Sequence, residues 1–501
     1  MKLKIIVFVK LILLILVSHT LHAQQTALFS DTDDNKLGSK EQQLLQNIVS
    51  DSIVVKFRIV KVNDITFENN IIVNLSDTDY YNSNVTKNNN TFNLNSNTIR
   101  KQGHLFYYNK EYRGIFYYNN KLFELRPLDK KYHVLLLLDQ SKSKLELCGN
   151  SDESDSLKNN LNKRDLNKNK ITTISEECKI RVLVVYTPAS RDYRGGDASI
   201  NSDIKWAEEL TNESYENSNV NQRIKIVRTI LTNYTESGNW NLDFSRFYNY
   251  GDGYMDEIHT YREIYSADKV VLILNDGSWC GEAYDIYVSS NNAFCCVSSQ
   301  STCLTSYYSF AHELAHLSGC RHNPEADPST NPFPYGHGFC NTNDNWRTIM
   351  SYKIGSENRI QYWSNPDISY NGVPMGTPQT HDNARVLDET EDVVKEFRIV
   401  PNNYTIPNET IDEYNIADLL ARSNLVSSFG FIAEQNSDVT FRAGDGIRIT
   451  DGFHAESGSE FHAFIDNCNE KNKKKNGTSS NHYFTNGSDL FIVPNPFNNQ
   501  T

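Results

Sequence analysis

Ala311-His312-Glu313-Leu314-Ala315-His316-Leu317-Ser318-Gly319-Cys320-Arg321-His322 decides how the rest of this chain is read. The stretch fits H-E-x-x-H-x-x-G-x-x-H without a mismatch. On a helix turning about 100° per residue, Phe310, Leu314 and Leu317 fall on one side and His312 and His316 on roughly the opposite one. One face is set for burial, while two imidazoles one turn apart converge on a point outside the helix, as two ligands of one zinc ion do. Gly319 lets the chain leave the helix sharply, because glycine adopts the left-handed conformation with little strain. That turn brings His322 round as a third nitrogen ligand. Three protein ligands leave a position open to water, which marks a catalytic rather than a structural zinc ion. Glu313 is not needed for coordination, and its natural role is general base, taking a proton from the attacking water and passing it to the departing amine. A chance meeting of five such residues is expected on the order of once in 10⁴ to 10⁵ chains, so a plain core helix is a negligible alternative.

Downstream, Thr348-Ile349-Met350-Ser351-Tyr352 adds a methionine-containing segment. With the elongated zinc motif it resembles the metzincin clan of zinc metalloendopeptidases. Over about 178–398 the likeness extends to bacterial reprolysin-like members through Asp252-Gly253-Tyr254-Met255-Asp256, Ala267-Asp268, Cys280-Gly281, Tyr335-Gly336-His337-Gly338 and Ser364-Asn365-Pro366. The resemblance implies an α/β (α+β) catalytic domain with a mixed twisted sheet and an active-site helix. It implies one catalytic Zn2+ on His312, His316 and His322, with Glu313 and Tyr352 as catalytic residues and protein or peptide substrates. Met350 would form an apolar floor under the histidines. Tyr352 would bind zinc reversibly or stabilise the developing oxyanion, a plain core tyrosine being the alternative. Ser364-Asn365-Pro366 would help wall the pocket for the residue after the cut bond. His337 is left as structural, since three ligand positions are already filled.

The flanking sequence sets this site in a longer, exported chain of 501 residues, a length that predicts two to four domains. Lys2 and Lys4, an apolar run over 5–17 broken only by Lys10, and Leu21-His22-Ala23 read as a signal peptide at 1–23. The run is too short to span a bilayer, and no later run is long enough, so no transmembrane segment is expected. A net charge of −13 excludes a nucleic-acid binder. Export makes disulfides the first reading of the nine cysteines, six of which fall between 280 and 340. The odd number leaves at least one for another purpose.

Period-two runs such as His104-Leu105-Phe106-Tyr107-Tyr108 and His133-Val134-Leu135-Leu136-Leu137, with Asn-rich turns between them, predict a β-rich segment at 24–148. The family resemblance makes that segment a propeptide. Cys148-Gly149 at its end resembles the cysteine switch of matrix-type metalloproteases, in which a thiolate takes the open position on zinc; a Cys148–Cys178 disulfide is the alternative. A polar linker follows at 149–177, with Lys163-Arg164 as a candidate activation cut. Strands at 180–186, 223–231 and 270–274 alternate with helices around 197–210 and 254–265, and a closing helix is expected at 380–398.

After 399, short strands between Gly444, Gly446, Gly452 and Gly458 predict a small all-β module to 468. Phe453-His454-Ala455 recurs as Phe461-His462-Ala463, an apparent eight-residue repeat. The module resembles a β-stacking unit of exported Bacteroidetes proteins. Pro494-Asn495-Pro496-Phe497, within a tail at 469–501, resembles the start of a type IX secretion sorting signal, here short. Attachment to the cell surface through this region follows from that resemblance. A catalytically silent adhesion protein on a protease-like scaffold is the competing reading, and the intact His312, Glu313, His316 and His322 argue against it.

Overall fold

The computed structural model describes residues 26–63, 71–88, 90–95, 101–143, 148, 179–465, 481–486 and 489–494. The expected signal, the linker with Lys163-Arg164, Cys178, Cys468 and Asn495-Pro496-Phe497 lie outside them. Among the described residues no helix is long and apolar enough to cross a membrane. The chain forms two compact units, one of 1–45 with 54–138 and one of 46–53 with 139–501.

The first unit is built from nine strands: β1 (Phe29–Asp31), β2 (Val54–Val62), β3 (Ile71–Asn74), β4 (Tyr80–Asn88), β5 (Thr91–Asn95), β6 (Lys101–Tyr108), β7 (Glu111–Tyr118), β8 (Lys121–Pro127) and β9 (His133–Leu138). They pair in the order β1-β2-β9-β8-β7-β6-β5-β4-β3. The Leu28 N–H donates to Ile72 O at 2.8 Å and the Ile72 N–H to Thr26 O at 3.1 Å, so the two ends of the sheet meet and no long edge remains. Leu105, Phe116, Phe123, Leu125 and Leu135 fill the interior. Asn109-Lys110 and Asn119-Asn120 make the hairpin turns with positive φ at both positions, the conformation asparagine tolerates best after glycine. The Asn-rich turns of the sequence thus have a conformational cause. Helix α1 (Ser39–Val49) precedes β2.

In the second unit, β10 (Ile180–Tyr186) lies between β11 (Ile224–Leu231) and β12 (Lys269–Leu274), all parallel. Beyond β12, β13 (Gly281–Ala283) runs antiparallel to β14 (Phe294–Ser298), and β14 runs parallel to β12. Every residue of β10 and β12 is buried, which explains their continuous apolar runs. The helices are α2 (Pro188–Arg194), α3 (Asp197–Asn217), α4 (Trp240–Tyr248), α5 (Asp256–Ile264), α6 (Ser309–Ser318) and α7 (Asn383–Val394). The strands β15 (Cys340–Asn341), β16 (Trp346–Arg347), β17 (Asn358–Arg359), β18 (Asn365–Tyr370) and β19 (Val373–Met375) form two small ladders between α6 and α7.

The region after 399 is a three-faced β-solenoid. Strands β20 (Asn403–Thr405), β21 (Thr410–Ile411) and β22 (Ile416–Ala421) form its first coil, β23 (Asn424–Val426), β24 (Ile432–Ala433) and β25 (Asp438–Ala443) its second, and β26 (Gly446–Ile449), β27 (His454–Ala455) and β28 (Glu460–Ile465) its third. Thr410 faces Ile432 and Ile432 faces His454, a period of about 22 residues per coil. The eight-residue repeat is therefore overturned. Its two copies lie on different faces of one coil, whereas the true repeat stacks Phe431 on Phe453 with ring centroids 5.9 Å apart. His454 and His462 are exposed and belong to no metal-binding cluster among the described residues. The hairpin β29 (Asn481–Asn486) and β30 (Asp489–Pro494) pairs with β26.

This solenoid continues the central sheet. β22 lies antiparallel beside β11, with Arg228 opposite Ala417, giving the order β13-β14-β12-β10-β11-β22-β25-β28 and one hydrophobic core. At the join, the buried Asp418 carboxylate meets Arg442 at 2.7 Å, Arg181 at 3.6 Å and Lys225 at 3.9 Å. Arg228 pairs with Glu409 at 3.0 Å, and the Tyr265 hydroxyl donates to Glu409 at 2.8 Å.

Burial alone would raise the Asp418 carboxyl, but Arg442, Lys225 and Arg181 bring it down to about 2. Asp418→Asn is expected to lower the unfolding free energy of the full chain by about 3 kcal/mol at pH 7, because two buried guanidiniums and the half-buried Lys225 ammonium lose their counter-charge. The folded value lies below the unfolded ~3.9, so the stabilisation is full above about pH 5 and fades as the pH falls towards 2. Thermal melts of the two proteins should converge at the acid end. A difference that stays constant down to pH 3 would contradict this assignment.

Candidate metal centre

Helix α6 begins after Tyr308, which sits in the left-handed region at φ 59°, and ends at Gly319 at φ 108°. A Cβ on Gly319 would lie 2.7 Å from Phe333 Cε2, so both conformation and space require glycine here. The Cys320 N–H closes the helix by donating to Ala315 O at 3.1 Å. Arg321 then fixes the outgoing chain. Its N–H donates to Gly336 O at 2.7 Å, and its Nη1 reaches the buried Asp327 carboxylate at 2.7 Å. Lys269 of β12 holds the other side of the helix, its Nζ donating to Leu314 O at 2.8 Å and Ser318 Oγ at 2.7 Å. Burial lowers that ammonium to about 8.

This frame brings His312, His316 and His322 together. Their Nε2 atoms lie 3.1 Å (His312–His316), 3.0 Å (His316–His322) and 3.2 Å (His312–His322) apart. Nδ1 of His312 lies 2.9 Å from Ile349 O and Nδ1 of His316 lies 2.8 Å from Cys320 O. A carbonyl only accepts, so both Nδ1 atoms carry the proton and both Nε2 atoms present lone pairs. Burial holds all three imidazoles neutral, His316 going down to about 4. Lone pairs aimed at one another in a dry pocket repel, and a cation among them removes the conflict. Cys148 Sγ lies with the three nitrogens in one cluster whose ligand atoms all fall within 4.8 Å. Nitrogen and thiolate donors in this number suit zinc.

Around the cluster the other expected residues take their places. Glu313 is buried, and burial pushes its carboxyl up to about 8 against the opposing hydrogen bond from the Cys148 thiol, which reaches Oε2 at 3.3 Å. Its side chain lies over Gly281 of β13, where an added Cβ would come 2.6 Å from Glu313 Cγ. The Tyr352 ring stacks on His322 with centroids 4.0 Å apart, and its hydroxyl oxygen accepts from the Cys148 N–H at 2.6 Å. Met350 is buried beside Ile349, whose carbonyl receives His312. Cys148 also bridges Gly281 as a parallel strand residue at the edge of β13.

His337 touches the centre indirectly, its Nδ1 lying 2.7 Å from the carbonyl of His322. Ser364 donates to His337 O at 2.7 Å and accepts from the Asn383 N–H at 2.9 Å, anchoring the start of α7. Among the described cysteines only Cys280 and Cys303 are bonded to each other, tying β13 to the loop before α6. Cys295, Cys296, Cys320 and Cys340 are thiols, so the expectation of a heavily stapled stretch gives way to one staple. Adjacent residues of a strand point to opposite faces, which is why Cys295 and Cys296 pack as small buried groups instead.

Sequence reasoning missed several supporting residues. Asn323 Oδ1 accepts from the Tyr352 N–H at 2.7 Å. Arg347 braces the wall through Ser351 O at 2.6 Å, Glu357 O at 3.0 Å and the Tyr307 hydroxyl at 3.0 Å. Arg359 and Gln140 meet at the same wall, the Arg359 N–H donating to Gln140 Oε1 at 2.7 Å. No local spacing rule flags these residues. Only the Asn immediately after His322 stood near enough to the motif to be suspected.

Residues 176–364 match the family described as metallo-peptidase family M12. The chain is 47% identical over 220 residues to the peptidyl-Asp metalloendopeptidase of Xanthomonas campestris pv. campestris, covering 44% of this chain and 52% of that protein. It is 37% identical over 190 residues to the peptidyl-Asp metalloendopeptidase of Pseudomonas fragi, covering 38% of this chain and 99% of that protein. The chain thus spans about half the length of the Xanthomonas relative and nearly all of the Pseudomonas one. Among solved structures, metalloproteinase-II from Bacteroides fragilis aligns at 10% identity and a TM-score of 0.35 over 56% of this chain and 85% of that one. On the sequence likenesses, the chain belongs with the metalloendopeptidases, and its residues 176–364 form an M12 metallopeptidase domain, whose cofactor is zinc.

Proposed function

We propose that this chain is a secreted, zinc-dependent endopeptidase made as a zymogen, and that it cuts peptide bonds beside aspartyl residues, as the names of its relatives suggest. The observation that carries the reading is the buried set of three convergent imidazole nitrogens with a carboxylate on the same helix. Residues 1–23 act as the export signal, 24–148 as the propeptide, 149–177 as the linker and 178–398 as the catalytic domain. Residues 399–468 form the appended β module, and 469–501 the tail through which the protein is attached at the cell surface.

Zinc, when bound by His312, His316 and His322, supplies Lewis-acid polarisation of the scissile carbonyl and acidifies the attacking water. The protein's own residues then handle the protons. Glu313, held in a dry site, takes the proton from water and delivers it to the leaving amine. The Tyr352 hydroxyl, freed from Cys148, donates to the developing oxyanion. An extended substrate adds to the open edge of β13, the edge Cys148 now occupies. The zymogen is kept silent by Cys148, whose Sγ lies among the three histidines and would serve as a further ligand when zinc is bound, while its backbone N–H engages Tyr352. A cut in the linker at Lys163-Arg164 releases it.

Three outcomes test this. The purified chain should hold one zinc per molecule by elemental analysis, and His316→Ala should lose it. Glu313→Ala should keep its zinc yet hydrolyse peptides about 10³-fold more slowly, the scale of a lost general base; unchanged cutting would remove Glu313 from that role. Cys148→Ser should raise the chelator-sensitive activity of the uncut chain, because a hydroxyl is a poor zinc ligand. A variant as latent as the parent would sink the switch.

A further inference from the structure

Buried guanidiniums in this chain are mostly matched to carboxylates: Arg194 to Asp203, Arg228 to Glu409, Arg321 to Asp327 and Arg442 to Asp418. Arg359 of β17 is not. It is only 2% exposed, yet no ion pair joins it to a carboxylate among the described residues. Its Nη1 donates to Tyr307 O at 2.9 Å and its Cζ lies 4.3 Å over the Tyr307 ring, while its Nε has no acceptor. Two other buried arginines also pair with no carboxylate among the described residues, but their donors are used. Arg347 bonds Glu357 O, Ser351 O and the Tyr307 hydroxyl, and Arg262 bonds the carbonyls of Ala267, Asp268, Ser290 and Asn291. A buried cation with an unused donor is costly unless something else supplies the anion.

Its location indicates what does. Arg359 follows Tyr352 by one short connection, and its charge acts on Glu313, Tyr352 and all three imidazoles, so it stands beside the metal centre. The segment that carries Cys148 reaches it as well. Gln140 is buried, its Oε1 accepts from the Arg359 N–H at 2.7 Å, and its Nε2 donates to Ser306 O at 3.5 Å. The covering segment thus places a neutral amide at Arg359 while its cysteine lies at the histidines. That amide meets the Arg359 backbone N–H and supplies no negative charge to the guanidinium.

We propose that Arg359 is the specificity-determining residue for an acidic side chain next to the scissile bond, its guanidinium pairing with the substrate carboxylate once the 139–148 segment has left the site. The inference rests on the peptidase reading and assigns the residue behind its substrate class. Arg–carboxylate pairs are directional and strong in a dry site. An asparagine in place of the aspartate would leave the guanidinium unpaired, which is the condition under which a polar site discriminates sharply. Ser364, by contrast, has its hydroxyl committed to His337 and Asn383.

The test uses the full chain after limited proteolysis in the linker, with zinc, on matched peptides carrying Asp or Asn beside one cut site. The parent is expected to prefer Asp by about 100-fold in kcat/KM, and Arg359→Gln to reduce that preference below about 10-fold while still cutting the Asn peptide. Binding of the same peptides to the Glu313→Ala protein, followed by fluorescence anisotropy, gives a readout independent of turnover. There Asp should bind more tightly than Asn, and adding Arg359→Gln should level the two. Arg359→Lys, which keeps the charge but loses the fork, should fall between the parent and Arg359→Gln, and serves if Arg359→Gln does not fold. Preference for Asp that survives both substitutions, or cutting by the parent with no acidic preference, overturns the assignment. Failure of the parent to cut any peptide in a chelator-sensitive way overturns the peptidase reading instead.

Discussion

Three imidazole nitrogens held 3.0 to 3.2 Å apart in a dry interior are not at rest unless a cation lies among them. That constraint organises the molecule. Ile349 O and Cys320 O fix the tautomers of His312 and His316, and both carbonyls are themselves held by the chain on either side of the site. The first belongs to the segment Arg347 braces, the second to the turn closed by Gly319 and the Arg321–Asp327 pair. Partners at this remove set ring orientation and ligand basicity, and their loss typically costs about 10- to 100-fold in metal affinity or activity. His337, which reaches the carbonyl of His322, belongs to the same supporting set.

The sheet under α6 has a related division of labour. At one end, β22 covers β11 and carries the sheet on into the solenoid, with Asp418 balancing three cations where the two meet. At the other end β13 stays short and lies against Glu313, and Cys148 adds to it as one more residue. An uncovered edge is usually a liability. In the proposed function it is the place where an extended peptide adds main-chain hydrogen bonds within reach of the carboxylate and the histidines. Gly281 matters because any side chain there would push Glu313 away from that edge.

Legibility in the sequence follows the range of the interactions. The zinc motif could be read because its geometry is local: helical spacing puts two histidines on one face, and one glycine turns the third towards them. Strands such as Ile180–Tyr186 and His133–Leu138 could be read from their apolar runs, since burial on both faces or one leaves a local trace. The solenoid was read as β but with the wrong period, because Phe-His-Ala recurs at short range while the structural repeat is carried by Phe431 and Phe453, one coil apart. The join of β11 to β22, the pairing of Lys269 with the α6 carbonyls and the meeting of Gln140 with Arg359 leave no pattern in any window, being contacts between distant parts of the chain. The cysteines failed for another reason: composition suggested an oxidised cluster, but alternation along β14 separates Cys295 from Cys296 and burial makes them packing groups.

The segment at 139–148 shows how little of its hold comes from ordinary polar contacts. Gln140 bonds the Arg359 N–H and Ser306 O, Lys353 Nζ donates to Ser141 O at 3.3 Å, and the Cys148 N–H donates to Tyr352. Leaving the Cys148 thiol aside, these four hydrogen bonds among the described residues, at roughly 1 kcal/mol net each, give about 4 kcal/mol, equivalent to a dissociation constant near 1 mM. A tethered segment has an effective concentration of about the same size, so these bonds alone would leave the site open for much of the time. None of them supplies a full negative charge to the groups that most need one, the zinc position and the Arg359 guanidinium. On the proposed zymogen reading, closure therefore depends on Cys148, the residue of the segment whose Sγ lies among the three histidines. On the same reading, a cut in the tether makes even that contact reversible, because the competing peptide no longer faces a partner held at millimolar concentration.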